Sequence, residues 1–271
     1  MKFHKLSIIT INRNNAAGLR KTIESVMQQT VSDIEYIVID GNSNDGSVDV
    51  IRQYEKSITY WVSEPDRGIY HAMNKGIRQA TGTYCQFLNS GDYLLTPNVT
   101  EQMLHDMPPC SILYGNKIRE INGRQVVQRS YAGRPITLLD LYRSTIFHAT
   151  AYIKRSLFDR YGLYDESLKI VSDWKFYLIA VGLHNEPVAY RDLDMVWFDT
   201  GGISSTQHEL DAREREQVLQ EVLPAPILAD YREFACDGII IKRLKQSKPA
   251  WLFVINLYRA LFRIDKLRPL D

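Results

Sequence analysis

A single carboxylate follows a buried apolar strand predicted in the first third of the chain. The strand covers Tyr84 to Leu88 and ends in the polar turn Asn89-Ser90-Gly91-Asp92. Ligands of open α/β sheets bind outside the carboxyl ends of the strands, where Asp92 is expected to lie. Carboxylate oxygens suit Mg²⁺ and Mn²⁺, which share their coordination with substrate phosphates. Asp92 is therefore a candidate metal ligand, although an isolated Asp after a strand also commonly caps a turn.

A second carboxylate, Asp40, follows the apolar strand Ile34 to Ile39 and begins the polar loop DGNSNDGS, residues 40–47. The Asp and Asn spacing imitates half of a calcium-binding loop, but Asp45 stands where that loop requires Gly and Ile51 where it requires Glu. The sequence has neither GxxxxGK[ST] nor GxGxxG, the phosphate-binding signatures of P-loop and dinucleotide-binding proteins. Asp40 is then either a carboxylate that accepts hydrogen bonds from a nucleoside or part of a well-capped turn.

The elements that must position these carboxylates alternate between strand and helix. Predicted strands are Lys5–Ile11, Ile34–Ile39, Ile58–Val62 and Tyr84–Leu88, and predicted helices are Ala16–Gln29, Val48–Glu55 and Ile69–Gln79. Repeated βα units predict a parallel sheet with helices on both faces. The second strand is apolar except for Glu35, as expected of a strand covered on both faces. The fold class is α/β, with a nucleotide-binding half over about residues 1–96.

The charge distribution separates the end of the chain from the rest. The net charge of the 271 residues is +1, but residues 241–271 contain eight Lys or Arg against two Asp, a local +6, so that the first 240 residues carry −5. A nucleic-acid-binding protein would instead carry its basic surface over the folded domain, and we exclude that class.

Three sequence features predict a cytoplasmic protein. Cys85, Cys110 and Cys236 are odd in number and contain no CxxC pair, which suits reduced thiols rather than a disulfide frame or a structural zinc site. The first apolar run, Leu6 to Ile11, is too short for a signal-peptide core. Elsewhere, no apolar run reaches the roughly 18 residues that a spanning helix needs.

Four motifs in series give the chain a family resemblance. They are SIITINRN (residues 7–14), DGNSNDGS (40–47), SEPDRGIYHAMNKGI (63–77) and FLNSGD (87–92). Their order and spacing resemble glycosyltransferase family 2 over about residues 6–205. The resemblance implies a GT-A fold, Rossmann-like and mostly parallel. It also implies inverting transfer of a hexosyl or N-acetylhexosaminyl group from a nucleotide sugar, with uracil the expected base.

The resemblance also implies a donor-binding set: Thr10, Asn12, Asp40 (at the base), Asp66, Arg67, Asn89 and Asp92. The family's metal motif is usually Asp-x-Asp or a run of acids, whereas here Asn89 replaces the first acid and leaves Asp92 as the metal ligand for Mn²⁺ or Mg²⁺. Because the site has one less negative charge, we expect metal and donor to bind cooperatively.

From about Pro97 to Ser205 the pattern is mixed, and we expect the acceptor-binding half there. Predicted elements are helix Val99–Met107, strand Ser111–Arg119, a hairpin at Asn122-Gly123, strands Gln125–Tyr131, Ala151–Ile153 and Val188–Phe198, and helices Ser156–Gly162 and Trp174–Val181. The expected acceptor is a saccharide or a lipid-linked saccharide.

Asp173 precedes an apolar helix and, in the pair Ser172-Asp173, resembles the family's base motif. It is the candidate general base for the acceptor hydroxyl, while the alternative is plain helix capping. His148 and two residues of the segment DTGGISS, Gly202 and Ser204, are candidate contacts to the diphosphate or the acceptor. A lone His is more often structural, and the glycine-rich segment equally suits a simple turn.

The remainder, residues 206–271, is predicted as a helical and basic extension of the catalytic domain, 1–205. A charged helix covers Glu209–Val222, prolines 224 and 226 break it, and a further helix runs to Ala235. Basic residues flank the apolar segment 239–263, which suits either the inner face of an anionic membrane, as a peripheral protein, or packing on the catalytic domain or a second subunit.

The leading hypothesis is an inverting, metal-dependent sugar transferase of cell-surface polysaccharide or glycolipid assembly. A nucleotidyltransferase also uses metal carboxylates on a parallel sheet, but it needs a glycine-rich loop after its first strand, and this chain has Asn12-Arg13-Asn14-Asn15. A nucleotide-sugar-binding protein of the same fold without catalysis is the other alternative.

Overall fold

The computed structural model describes residues 6–262, except for the side chains of Ser204, Ala235, Cys236, Ile239, Lys242 and Phe262. Two compact units divide between Val218 and Leu219. The predicted boundary after residue 205 stays a prediction. Cys85 and Cys110 are buried free thiols, while the prediction for the Cys236 thiol lies outside the described residues.

The first four strands of the sheet are parallel, in the spatial order β3-β2-β1-β4. They are β1 (Leu6–Asn12), β2 (Ile34–Asp40), β3 (Tyr60–Ser63) and β4 (Tyr84–Phe87), connected by helices α1 (Ala16–Met27), α2 (Ser47–Gln53) and α3 (Ile69–Gln79). The predicted bounds of these elements agree within two residues, and those of α3 are identical. Every residue of β1 is buried, as expected of an inner parallel strand.

The second half extends the same sheet as β4-β8-β6-β9-β5, with β7 beside β6. Its elements are β5 (Tyr93–Leu94), α4 (Val99–Leu104), β6 (Ile112–Ile121), β7 (Arg124–Gln128), α5 (Leu138–Arg143), β8 (Ala151–Lys154), α6 (Ser156–Tyr161), α7 (Ser172–Tyr177) and β9 (Val188–Trp197). Strand β8 is antiparallel to β4 and β6, whereas β6 and β9 are parallel. The predicted mixed arrangement is confirmed.

The short strand β5 was not predicted, because two residues are too few to show a periodicity. It pairs antiparallel with β9, so that Tyr93 lies opposite Trp197 and their rings stack with centroids 5.9 Å apart. Consequently, the turn that holds Asp92 is fixed at both ends, by β4 before it and by β5 after it.

Glu35, the charged exception in β2, is buried at the amino end of the sheet. Its carboxylate accepts hydrogen bonds from Ser7 Oγ in β1 and from Thr81 N, Thr81 Oγ1 and Gly82 N in the turn before β4. Burial raises the pKa of Glu35, but these hydrogen bonds outweigh it and hold the pKa below its ordinary value. The carboxylate therefore fastens three neighbouring chain segments at the edge opposite the candidate site.

The last described elements are helices α8 (Ile203–Thr206), α9 (His208–Val222), α10 (Ala225–Gln246) and α11 (Lys248–Phe262). The prediction that a helix ends at Ala235 was wrong, since α10 continues to Gln246. Pro226 lies in its first turn, where proline is tolerated, and no further proline precedes Pro249, in the first turn of α11. In the described part of the chain, no helix is long and apolar enough to cross a membrane.

Candidate functional site

The carboxyl ends of three parallel strands bring Asn12, Asp40 and Ser63 into one row, because the register pairs Asn12 with Asp40 and Asp40 with Ser63. The loops that follow these strands all begin at this edge. This is the edge at which open α/β sheets bind ligands.

Asp40 is completely buried, and both of its carboxylate oxygens are used inside the protein. Oδ1 accepts from Asn12 Nδ2 at 2.7 Å and Ser43 Oγ at 2.6 Å, and Oδ2 accepts from Ser43 N at 2.9 Å and Ser63 Oγ at 2.6 Å. Burial raises the pKa of Asp40, yet these hydrogen bonds leave it below the ordinary value. Four donors fill the lone pairs of a carboxylate, so a direct contact with a base requires that one of them be exchanged.

Thr10 and Asn12 differ in their access to a ligand. Thr10 is buried in the core, where its hydroxyl lies 3.1 Å from Tyr36 Oη, so the structure does not bring it to the pocket surface. Asn12 is also buried, but its Oδ1 has no hydrogen-bond partner among the described residues. That amide oxygen is an acceptor still available to a ligand.

Asp66 and Arg67 lie in the loop between β3 and α3. The Asp66 side chain is 7% exposed, and its Oδ1 accepts from Gly68 N. A Cβ at Gly41 would lie 2.3 Å from Asp66 Oδ2, so only glycine fits beside this carboxylate. Arg67 Nη2 donates to Glu166 Oε2 at 2.7 Å and joins the two halves; Glu166 had no recognisable signal in the sequence.

Asp92 contrasts with Asp40, because it is buried with a single donor to its carboxylate. That donor is Asp199 N, 2.8 Å from Oδ1, which ties the start of the glycine-rich segment to the strand end. Burial and the nearby Asp199 carboxylate raise the pKa of Asp92 to about 7, against the opposing effects of that hydrogen bond and of the Lys117 ammonium. At Gly91, φ is +105° and a Cβ would lie 2.5 Å from Asp199 Oδ2, so glycine is required for this turn.

The residues around Asp92 fit a hard divalent cation. Asn89 Oδ1 is buried and has no hydrogen-bond partner in the described part of the chain, and Asp92 Oδ2 receives none of the hydrogen bonds found there. Among residues 6–262, no cluster of three or more His, Cys, Asp or Glu forms a complete protein cage. One carboxylate and one amide oxygen are typical of a cation that takes its remaining ligands from water and substrate phosphates.

Asp173 lies in the first turn of α7, and its Oδ1 accepts from Tyr70 Oη at 2.7 Å. The capping alternative was wrong, because the residue before the helix is Val171 and makes no side-chain cap. Tyr70 comes from α3 in the first half and also lies against the Ile170 carbonyl. This buried phenol orients the carboxylate; its role could not be predicted, since nothing in the sequence links it to Asp173.

His148 lies in an aromatic cluster beside this site. Its ring stacks on Phe87 with centroids 4.7 Å apart, and its Nε2 lies 2.9 Å from Tyr164 Oη. Burial lowers the pKa of His148, with Asp173 opposing. Gly202 is exposed just before α8, and the side chain of Ser204 lies outside the described residues. Contacts of these three residues with a diphosphate or an acceptor stay predictions.

Lys117 was missed by the sequence reasoning. It projects from β6 with its Nζ 4.2 Å from the Phe147 ring centroid and 3.9 Å from that of Phe198. Burial and the neighbouring Arg119 lower the pKa of Lys117 to about 8, while both Asp92 and Asp173 raise it. Both carboxylates predicted to do chemistry therefore interact electrostatically with this ammonium group.

Comparison with known proteins identifies the family. The family described as Glycosyl transferase family 2 matches residues 7–162. An uncharacterised glycosyltransferase of Mycobacterium tuberculosis is 35% identical over 206 residues, which cover 74% of this chain and 77% of that protein.

Solved structures share the fold. S. aureus TarS 1–349 in complex with UDP-GlcNAc has a TM-score of 0.65 at 21% identity and covers 91% of this chain and 78% of its own. In the UDP complex of the same fragment, the TM-score is 0.60 at 20% identity, and the match covers 72% of this chain and 60% of that one, less than two thirds. The mannosyltransferase PcManGT of Pyrobaculum calidifontis, in complex with GDP-Man and Mn²⁺, has a TM-score of 0.61 at 15% identity, covering 98% and 82%. By its family match and its fold, the chain belongs to glycosyltransferase family 2 and has the GT-A fold.

Proposed function

We propose that the protein transfers a sugar, with inversion, from a nucleoside diphosphate sugar to a hydroxyl of a saccharide or lipid-linked saccharide in cell-surface glycan assembly. The observation that carries this proposal is the buried Asp92, with one carboxylate oxygen left unbonded among the described residues, and Asp173, oriented by Tyr70 of α3, with Lys117 in electrostatic range of both. The leaving group needs positive charge to neutralise it, and the attacking hydroxyl needs a base to take its proton. These groups can supply both within one site.

In this proposal the reaction is a single displacement with Asp173 as the general base. The carboxylate takes the acceptor proton as the hydroxyl attacks the anomeric carbon, a role worth about 10²–10⁴ in rate. The hydrogen bond from Tyr70 keeps one carboxylate oxygen fixed and leaves the other for the acceptor. Because the attack comes from the face opposite the leaving diphosphate, the anomeric configuration inverts.

The donor's nucleoside lies, in this proposal, between the loops at the ends of β1, β2 and β3. TarS and PcManGT were solved with UDP-GlcNAc and GDP-Man, both nucleoside diphosphate sugars. Uracil and guanine both have ring N–H groups that can donate a hydrogen bond to a carboxylate. Asp66 Oδ2 makes no hydrogen bond among the described residues, whereas both oxygens of Asp40 already accept hydrogen bonds from the protein. We therefore assign the contact with the base to Asp66. Asp40 instead positions Asn12.

The cation site of this proposal is formed by Asn89 and Asp92, with Mn²⁺ or Mg²⁺ as the ion. When bound, the ion would supply positive charge to the leaving diphosphate. The Mn²⁺ complex of PcManGT supports the use of a divalent cation in this fold. With so few protein ligands, the ion and the donor should bind cooperatively.

The C-terminal unit, residues 219–271, is proposed to bind an anionic membrane surface at the cytoplasmic face. Large apolar side chains of α10 and α11 are exposed: Phe234, Ile240, Ile241, Leu252, Phe253, Leu257 and Leu261. Basic residues lie among them, and each Lys or Arg near an anionic surface adds about 1 kcal/mol. Such attachment suits a lipid-linked acceptor.

The first test is the melting temperature with UDP, GDP, dTDP and CMP, each with and without Mn²⁺. One diphosphate should raise it, and Mn²⁺ should increase the shift, because a ligand present at about 100 times its Kd stabilises the native state by about 2.7 kcal/mol. The Asp92→Asn variant should lose only the Mn²⁺-dependent part. Equal Mn²⁺ affinities with and without nucleotide would contradict cooperative binding, and no shift with any nucleotide would contradict the donor site.

Replacing Asp173 by Asn should lower kcat by about 10²–10⁴ while the Kd for the donor diphosphate changes less than about threefold. The exposed Asp159 offers a matched control, for which Asp159→Asn should leave kcat unchanged. Proton NMR of the first product should show the anomeric configuration opposite to that of the donor. Wild-type turnover by the Asp173 variant would remove the base from the mechanism.

The pair Asp40→Asn and Asp66→Asn separates positioning from base contact. In Asp40→Asn, the amide NH₂ group cannot accept the hydrogen bonds that a carboxylate oxygen accepts. The free energy of unfolding measured in urea titrations should therefore fall by about 1–3 kcal/mol. Asn at 66 should leave the free energy of unfolding nearly unchanged but weaken uridine or UDP binding about tenfold, as calorimetry would measure. If Asp40→Asn weakens nucleotide binding and Asp66→Asn lowers only the stability, Asp40 contacts the base instead.

Membrane binding can be measured by co-sedimentation of the full chain with vesicles. The wild type should pellet with vesicles that contain phosphatidylglycerol and not with pure phosphatidylcholine, and the double variant Phe253→Asp/Leu257→Asp should bind roughly tenfold or more weakly. The control is Leu183→Asp, at an exposed leucine of the first unit. If the protein binds neither kind of vesicle and elutes as a dimer in size-exclusion chromatography, the exposed apolar surface of α10 and α11 binds a second copy of the chain instead.

A further inference from the structure

Lys117 occupies the site without a counter-ion in direct contact. Lys117 is half-buried, and among the described residues no hydrogen-bond or ion-pair partner lies within reach of its Nζ, although charges withdrawn from water are usually paired. Two phenyl rings, Phe147 and Phe198, hold the ammonium by cation–π contacts at 4.2 and 3.9 Å. Such contacts restrict the position of the group, and the N–H donors that do not face the rings remain available to a ligand.

The surroundings of Lys117 point to an anion as that ligand. The ammonium lies against Phe198, the neighbour of Asp199, whose N–H binds Asp92, and it interacts electrostatically with both Asp92 and Asp173. In the proposed reaction, this is the space in which the sugar–diphosphate bond breaks. A diphosphate is the anion that arrives there in the proposed reaction, and a cation held by the single Asp92 carboxylate leaves part of its negative charge for a protein cation to neutralise.

We propose that Lys117 binds the diphosphate of the donor and neutralises the leaving group, a role that rests on the proposed function. As the acceptor oxygen bonds to the anomeric carbon, its proton passes to Asp173. The bond between that carbon and the diphosphate oxygen breaks, and the electron pair stays on the diphosphate. Lys117 donates hydrogen bonds to this oxyanion and keeps its own proton. Because its charge belongs to the protein, diphosphate binding persists when the divalent cation is removed.

Calorimetry with a truncated ligand series tests the assignment. UDP, UMP and uridine, or the same series of the base that the melting experiment selects, are titrated into the wild type, Lys117→Met and Lys117→Arg, each in EDTA and in Mn²⁺. Lys117→Met should weaken the diphosphate about 10- to 100-fold in EDTA, the range of a lost charged hydrogen bond, and the nucleoside less than about twofold. Lys117→Arg should retain most of the diphosphate affinity, and Lys154→Met, at an exposed strand lysine, should change none of the three.

The outcomes separate this proposal from the one on which it rests. If no nucleotide binds the wild type, the proposed function fails. If the diphosphate binds the wild type and Lys117→Met equally well, the role of Lys117 fails alone. If Lys117→Met loses affinity for both the nucleoside and the diphosphate and also melts at a lower temperature, Lys117 has a structural role and the proposal is wrong.

Discussion

Two buried carboxylates, at the ends of the strands that flank β1, have opposite hydrogen-bonding environments, and the site depends on this difference. Asp40 receives four donors, so it stays ionised at low cost and serves as a fixed anchor for the loops around it. Asp92 receives one donor, and burial raises its pKa to about 7. A buried carboxylate with unfilled lone pairs is unfavourable by itself, which makes it receptive to a cation. The first carboxylate organises the pocket, and the second retains capacity for a ligand.

Helix α3 couples the two halves around these carboxylates. Its Tyr70 donates to Asp173, and its Asn74 donates to the Tyr164 carbonyl and to Glu166 Oε1. Arg67, just before the helix, also contacts Glu166. Helix α3 thus fixes the position of the proposed base relative to the proposed donor pocket. Its buried face explains why the helix bounds were clear from apolar periodicity.

The region around Asp92 is formed by strands that are distant in sequence. Strand β5 pairs with β9, the segment after β9 donates to Asp92 through Asp199 N, and β6 beside β9 carries Lys117. The phenyl rings that hold Lys117 come from outside its own strand, from residues 147 and 198. The second half of the sheet consequently contributes to the candidate site as well as to the expected acceptor surface. The second half of the chain contributes the Lys117 ammonium and the Asp173 carboxylate, while Asp92 comes from the first half.

The sequence by itself determined the α/β class, the order of the elements, the identity of α3 and the carboxylates at the strand ends. These features depend on local apolar periodicity and on polar turns, which are properties of neighbouring residues. Tertiary structure alone decided that Thr10 faces Tyr36 in the core, that Asp40 is saturated, that Asp173 bonds Tyr70 instead of capping α7, and that Lys117 enters the site. Each of these outcomes depends on a partner far away in the chain, and burial and pairing are set only when the sheet register and the helix packing bring such partners together.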